Sequence, residues 1–209
     1  MLRGLVQASL IGSTFGWRGE KPGNFLFQPR ANGDYTNTAY SKFSLGRGYR
    51  VGVGGLWRRP TSSLSFSASV EYEWQYYGTS YPSNAFGPFH DSKASLKRYG
   101  IEFRTILDRW AAKPYIVVNP GWAHLDLPQQ EVFWTPLPPY TYHFADAWKS
   151  GMAFDVAVGA LYEFVPNLSI GLQLGYCRLV FKQSNEGSFG PYADFVESLT
   201  GALGVEWWP

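Results

Sequence analysis

The triplet His90-Asp91-Ser92 is the one local cluster in the sequence that brings a nucleophile, a base and a carboxylate together. A serine attacks only when a base is held within hydrogen-bond reach of its hydroxyl and a third group orients that base. The triplet falls in a Gly- and Pro-containing stretch, 78–94, that offers no rigid frame, so it reads as solvated loop rather than catalytic centre. His124 with Asp126 and the isolated His143 are weaker candidates, and three scattered histidines have no metal-ligand spacing. The single Cys177 excludes an intramolecular disulfide and a cysteine-based zinc site, and reads as a small filler in a strand. No cofactor and no metal is expected, and the chain is not expected to be an enzyme.

A second set of ionisable residues is more ordered. Arg50, Glu71, Glu73, Arg98, Glu102, Arg104, Asp155, Glu163 and Glu206 all fall on the polar phase of stretches that alternate between polar and apolar residues. The clearest is LSFSASVEYEWQY at 64–76. There Leu64, Phe66, Ala68, Val70, Tyr72, Trp74 and Tyr76 alternate with Ser65, Ser67, Ser69, Glu71, Glu73 and Gln75. Successive side chains project from opposite faces of a strand, so this is a β-strand with one apolar and one polar face. Were the apolar face the core of a soluble sandwich or lipocalin-like barrel, Tyr72, Trp74 and Tyr76 would have to fit inside it. An eight-stranded barrel is just wide enough for its interior side chains or one small ligand, and rings from several strands would overfill it. With the strand turned round, Ser, Gly and a few charges fill a narrow lumen while the large residues meet hydrocarbon. That is the pattern of a transmembrane barrel, with an apolar outer band and aromatic girdles.

Composition agrees. Apolar residues make up 45% of the chain, yet mean hydropathy is −0.21, and no run approaches the ~18 apolar residues of a membrane helix. A barrel reconciles the two, because only alternate strand residues need be apolar. The 18% aromatic content, the 23 glycines and the 16% charged residues suit strands around a crowded interior. A formal charge of +2 is too small to point to a nucleic-acid partner. The length suits one domain over 1–209. Gln7 and Ser9 interrupt the apolar stretch after Arg3 and no A-x-A site follows, so no signal peptide is read and the numbering is taken as that of a mature or recombinant chain.

The alternation repeats along the chain and predicts strands at 4–17, 43–57, 64–76, 96–107, 115–125, 152–164, 168–181 and 195–208. The phase of the first blurs at Ile11 and Phe15. Arg47 falls on the apolar phase of the second, which places it near a membrane edge or at a bulge. Pro120 breaks the ladder of the fifth and leaves its inward phase open. Connections at 18–40, 78–94, 126–150 and 182–194 are long, and those at 58–62, 108–113 and 165–167 are short. That rhythm puts all long loops at one end of an antiparallel barrel and both termini at the other. Bacterial outer-membrane barrels have even strand numbers, short periplasmic turns and longer extracellular loops. The expected fold is therefore all-β, an eight-stranded antiparallel up-and-down transmembrane β-barrel, in the outer membrane of a Gram-negative-type bacterium.

The stretches YRVGVGGLWRRP, RYGIEFRTILDRWAAKPYIVV and the closing LTGALGVEWW resemble the small eight-stranded OmpA/OmpX/OmpW-type outer-membrane barrels, over essentially the whole chain and in pattern more than in any one motif. In that family the last strand typically ends on an aromatic residue with apolar residues at alternate positions before it. Leu199, Leu203, Val205 and Trp207 match that alternation and Pro209 departs from it. The resemblance implies the barrel-assembly machinery as a partner during biogenesis, and outer-membrane lipid and lipopolysaccharide around the barrel. An OmpW-like channel for ions or apolar solutes is the first alternative function. The second is a lipid A-modifying enzyme, since lipid A deacylases are small barrels with a His-x-Ser pair and a carboxylate. In those enzymes the pair lies on a strand, whereas His90 and Ser92 fall in a loop.

Folding the second strand onto the third brings Arg50 within about one residue pair of Glu71, and folding the third onto the fourth brings Glu73 to Arg98. Unpaired buried charge is costly, so Arg50, Glu71, Glu73, Arg98, Glu102, Arg104 and Asp155 are expected to form an ion-pair network that plugs the lumen, in preference to a gate or polar pore. Trp17, Phe43, Tyr76, Tyr77, Tyr99 and Tyr176 are assigned to the upper aromatic girdle, and Trp57, Trp110, Tyr115, Tyr162, Phe164, Trp207 and Trp208 to the lower. The loop 126–150 carries Phe133, Trp134, Tyr140, Tyr142 and Phe144 among prolines. It could pack as a lid or bind a protein or glycan partner. The expected role is structural or interactive: a plugged outer-membrane barrel with four long extracellular loops.

Overall fold

The computed structural model describes residues 2–16, 42–43, 46–58, 61–80, 92–127, 130–134, 140–144, 147–181 and 195–209. Its barrel strands are β1 (Leu2–Gly16), β3 (Gly46–Arg58), β4 (Leu64–Ser80), β5 (Ser92–Leu107), β6 (Ala112–Leu127), β9 (Ala147–Val165), β10 (Leu168–Phe181) and β11 (Phe195–Trp207). A short β2 (Lys42–Phe43) extends the sheet beside β4, while β7 (Gln130–Trp134) and β8 (Tyr140–Phe144) pair, among the described residues, only with each other. Each barrel strand pairs antiparallel with its sequence neighbour in the barrel, and β1 pairs with β11, so the sheet closes on itself. The fold is an eight-stranded antiparallel up-and-down barrel, with no helix among the described residues.

Closure carries a stagger. Ile11 connects through Gly48, Gln75 and Leu96 to Leu125 on β6, and the other way through Ala202, Gln173 and Gly159 to Tyr115 on the same strand. Those endpoints are ten residues apart (125 − 115), the shear that tilts the strands around the barrel axis.

The two faces sort as volume requires. Val70 is 63% exposed while Glu71 beside it is 3% exposed. The same inversion runs round the wall: Val53, Ile101, Val158, Leu174 and Leu199 point out, and Gln7, Arg50, Arg98, Asp155 and Glu206 point in. A continuous apolar exterior of this kind belongs in hydrocarbon.

Several boundaries and phases differ from the sequence reading. The loop assigned to 126–150 contains the β7–β8 hairpin and the first residues of β9, and β4 and β5 extend into 78–94 at both ends. Pro120 does not end β6: it faces outward and pairs with Phe154 of β9, while pairing with β5 lapses beside it and resumes in the same register. Because Pro lacks an N–H, only one side of its strand is interrupted. The blurred phase of β1 resolves with Ile11 buried in the lumen.

Three girdle assignments are corrected. Tyr77, Tyr115 and Trp208 are buried inside the barrel at 1%, 5% and 4% exposure. Tyr77 follows Tyr76 and Trp208 follows Trp207, and consecutive strand residues cannot share a face. Tyr115 shares its phase with Val117 and Asn119. Gly159 on the adjacent strand makes room for its ring, since a Cβ there would overlap it. The tightest turn, at Pro166 and Asn167, holds Asn167 at φ 67°, a left-handed conformation that asparagine tolerates.

Candidate functional site

The lumen is filled in layers. At the short-turn end, Lys113 Nζ lies 2.6 Å from Glu163 and 3.4 Å from Asp108. Above it, Leu5, Leu56, Ile106, Leu161 and Trp208 pack with Tyr115 and Val117 into a buried apolar cluster. Arg104 then joins Glu102 at 2.7 Å and also Glu206, with its guanidinium 4.5 Å from the Tyr115 ring centre. Gln7 donates to Glu71 and to Ser69 at 3.1 Å, and Asn119 donates to Glu71 at 2.5 Å.

The next layer is the densest in charge. Arg50 donates twice to Glu73, at 2.7 and 3.0 Å, and stands 3.6 Å from Glu71 and 3.5 Å from Asp155. Arg98 lies 3.7 Å from Glu73 and pairs closely with Asp155. Arg50 is thus directly opposite Glu73 and one pair away from Glu71, and Glu73 is directly opposite Arg98. Gln75 donates to Glu73 and accepts from Ser13 and, at 2.8 Å, from the Tyr77 hydroxyl. Buried Tyr77, Leu96, Ala123, Leu125 and Leu179 lie toward the long-connection end.

The interior therefore places a hydrogen-bonded ionic layer between two apolar ones. Glu71, Glu73, Glu102, Asp155 and Glu206 outnumber Arg50, Arg98 and Arg104, and the amides of Gln7, Asn119 and Gln75 supply the remaining donors. A cavity of ≈ 10 Å³ lies among Gln7, Glu71, Arg104, Gln173 and Glu206, room for about one water molecule.

The expected girdle residues Trp57, Tyr76, Tyr99, Trp110, Tyr162, Tyr176 and Trp207 all project outward, at 41–61% exposure. Tyr49, Tyr72, Trp74 and Tyr76 form a ladder of ring contacts near the upper edge, and Trp57 stacks on Phe66 at the lower. Arg47 sits beside Tyr76 without a bulge in its strand, which puts it at the upper edge. Phe43 and Phe15 lie in described strands, but nothing is described of their side chains, and Trp17 lies outside the described residues.

His90 and Asp91 also lie outside the described residues. A different polar set comes together on the outer wall. His124 and Asp126 both face outward from β6. His124 Nδ1 is 2.7 Å from Ser150 Oγ, and Nε2 is 2.8 Å from Asp126 Oδ1. Asp126 Oδ2 takes Lys97 Nζ at 3.0 Å and Ser95 at 3.2 Å. The i, i+2 spacing of His124 and Asp126 was a visible signal that they share a strand face. Ser150 gave none, because its approach depends on the β6–β9 pairing.

No protein-family model matches the chain, and no curated protein matches it by sequence. Among solved structures it is similar to Neisserial surface protein A, with a TM-score of 0.50 and 14% identity over 98% of this chain and 96% of that one. It is also similar to Ail, the attachment invasion locus protein of Yersinia pestis, in complex with the heparin analogue sucrose octasulfate (TM-score 0.48, 11% identity, 100% and 99% covered). A third is the outer membrane protease OmpT of Escherichia coli (TM-score 0.46, 10% identity, 100% and 96% covered). At 14% identity the likeness to the neisserial protein is one of fold. With the apolar exterior, that fold is an outer-membrane β-barrel.

Proposed function

We propose that this chain serves the outer membrane of a Gram-negative-type bacterium as a structural or interaction protein, a barrel that does not conduct and that presents its long connections outside the cell. The observation that carries this reading is the lumen: paired charges around Arg50, Glu73, Arg98 and Asp155 lie between two apolar layers. A pore needs continuous water, and a buried apolar layer at each end opposes it. The channel alternative would require both layers to part.

Three features support the interaction side of the reading. Arg47, Lys97 and Arg178 project from the wall near and above the upper aromatics, the depth of outer-leaflet phosphates, which suits lipopolysaccharide as the surrounding lipid. The β7–β8 hairpin pairs Val132 with Tyr142 and Trp134 with Tyr140, and a hairpin of that composition suits a protein or glycan partner. Outward Leu199, Leu203, Val205 and Trp207 on β11 suit recognition by the barrel-assembly machinery. The test is the purified protein in planar bilayers. No steady conductance is expected, and stable open channels in the unmodified protein would overturn the plugged reading.

A further inference from the structure

The outer wall carries a relay that the plugged lumen does not use. Ser150, His124 and Asp126 are joined in sequence by hydrogen bonds of 2.7 and 2.8 Å, and Lys97 closes the far side of Asp126 at 3.0 Å. We infer that Ser150, His124 and Asp126 form an esterase site for acyl esters of outer-leaflet lipids.

The contacts occur in the order that nucleophilic catalysis needs. Asp126 at Nε2 holds the proton of the imidazole on that nitrogen, which leaves the Nδ1 lone pair aimed at the Ser150 hydroxyl. The nitrogens are exchanged relative to the common serine-hydrolase arrangement, but nucleophile, base and orienting carboxylate keep their roles. The frame is rigid, since Lys97, His124 and Ser150 are cross-strand neighbours on β5, β6 and β9. This is what the His90-Asp91-Ser92 stretch lacks as a sequence.

The position selects the substrate class. His124 and Asp126 stand beyond Trp122 on the outward face of β6, in ladder register with Trp74 and Tyr76 through Lys97 and Ser95, and about a third of each side chain is exposed. Girdle rings mark the headgroup boundary, and the ester bonds of a membrane lipid lie between its acyl chains and its headgroup.

In the reaction, Ser150 Oγ bonds to the ester carbonyl carbon as its proton passes to His124 Nδ1. Collapse of the tetrahedral oxyanion breaks the ester C–O bond, and the alcohol leaves with the proton from Nδ1. Water then adds to the acyl-serine, giving its proton to Nδ1, and the fatty acid departs as that proton returns to Ser150. Asp126 stays ionised and stabilises the imidazolium through Nε2–H.

The test uses the full chain folded in detergent micelles, with heat-modifiable gel mobility as the check on folding. A fluorophosphonate probe and micellar p-nitrophenyl butyrate and phosphatidylethanolamine are the reagents. One adduct mapping to Ser150 is expected, together with ester turnover. Ser150→Ala should abolish both, Asp126→Asn should lower turnover by about 10²- to 10⁴-fold, and Thr105→Ala on the distant lipid face should change neither. Folded wild-type protein that takes no probe and releases no acid would overturn the assignment. An adduct that survives in Ser150→Ala would overturn it equally.

Discussion

Removing Glu73 tests whether the lumen is dry. Its carboxylate takes both hydrogen bonds from Arg50, at 2.7 and 3.0 Å, and stands 3.7 Å from Arg98. In Glu73→Ala, Arg50 keeps only Glu71 at 3.6 Å and Asp155 at 3.5 Å, and Arg98 keeps Asp155. None of these groups is more than 4% exposed, so bulk water does not replace the lost partner. Breaking a buried pair from one side costs about 3–5 kcal/mol. Asp155 still touches both guanidiniums, which favours the lower end, about 3 kcal/mol or roughly a hundredfold in the folding equilibrium. Urea unfolding in lipid vesicles, followed by tryptophan fluorescence, measures it directly. Glu73→Gln keeps the shape and an acceptor for Arg50 but loses the charge, so it should fall between the wild type and the alanine variant. A loss below about 1 kcal/mol for Glu73→Ala, well under the range for a buried pair, would mean that water screens the site and would refute the dry-lumen argument.

Two further substitutions test orientation and topology. Val70 projects into hydrocarbon and Ser69 into the lumen, so Val70→Arg should cost about 2–4 kcal/mol if it lies near the midplane, whereas Ser69→Arg meets crowding against Gln7. Vesicle insertion assays in which Val70→Arg is tolerated as well as a change at the exposed turn residue Thr61 would rule out the lipid-facing assignment. Arg109→Cys places a thiol in the exposed short turn between β5 and β6, and Cys177 is buried and should stay silent. A membrane-impermeant maleimide should label the variant only after the cells are permeabilised, and labelling of intact cells would mean the topology is inverted.

The sequence made faces legible and pairs less so, and one geometric fact explains both. Alternation has a period of two, so it fixes which side of the wall a residue takes but is blind to a register shift of two residues. The turn at 58–62 brings Arg50 within about one residue pair of Glu71 on the inward face, and the register sets it opposite Glu73, two residues along β4. The network survives that shift because Glu71, Glu73 and Gln75 all share the inward phase, so any even displacement still meets an acceptor. The failures at Tyr77 and Trp208 have the opposite cause. Ring chemistry suggested a girdle, but each follows an outward aromatic, and period two had already assigned it to the lumen. Ser150 lay beyond either rule. Only the β6–β9 pairing joins it to His124, 26 residues earlier in the chain, and no local pattern encodes a partner at that separation. A polar cluster on a lipid-facing wall is thus invisible to a method that reads each strand alone, although its individual residues stand out as breaks in the apolar phase.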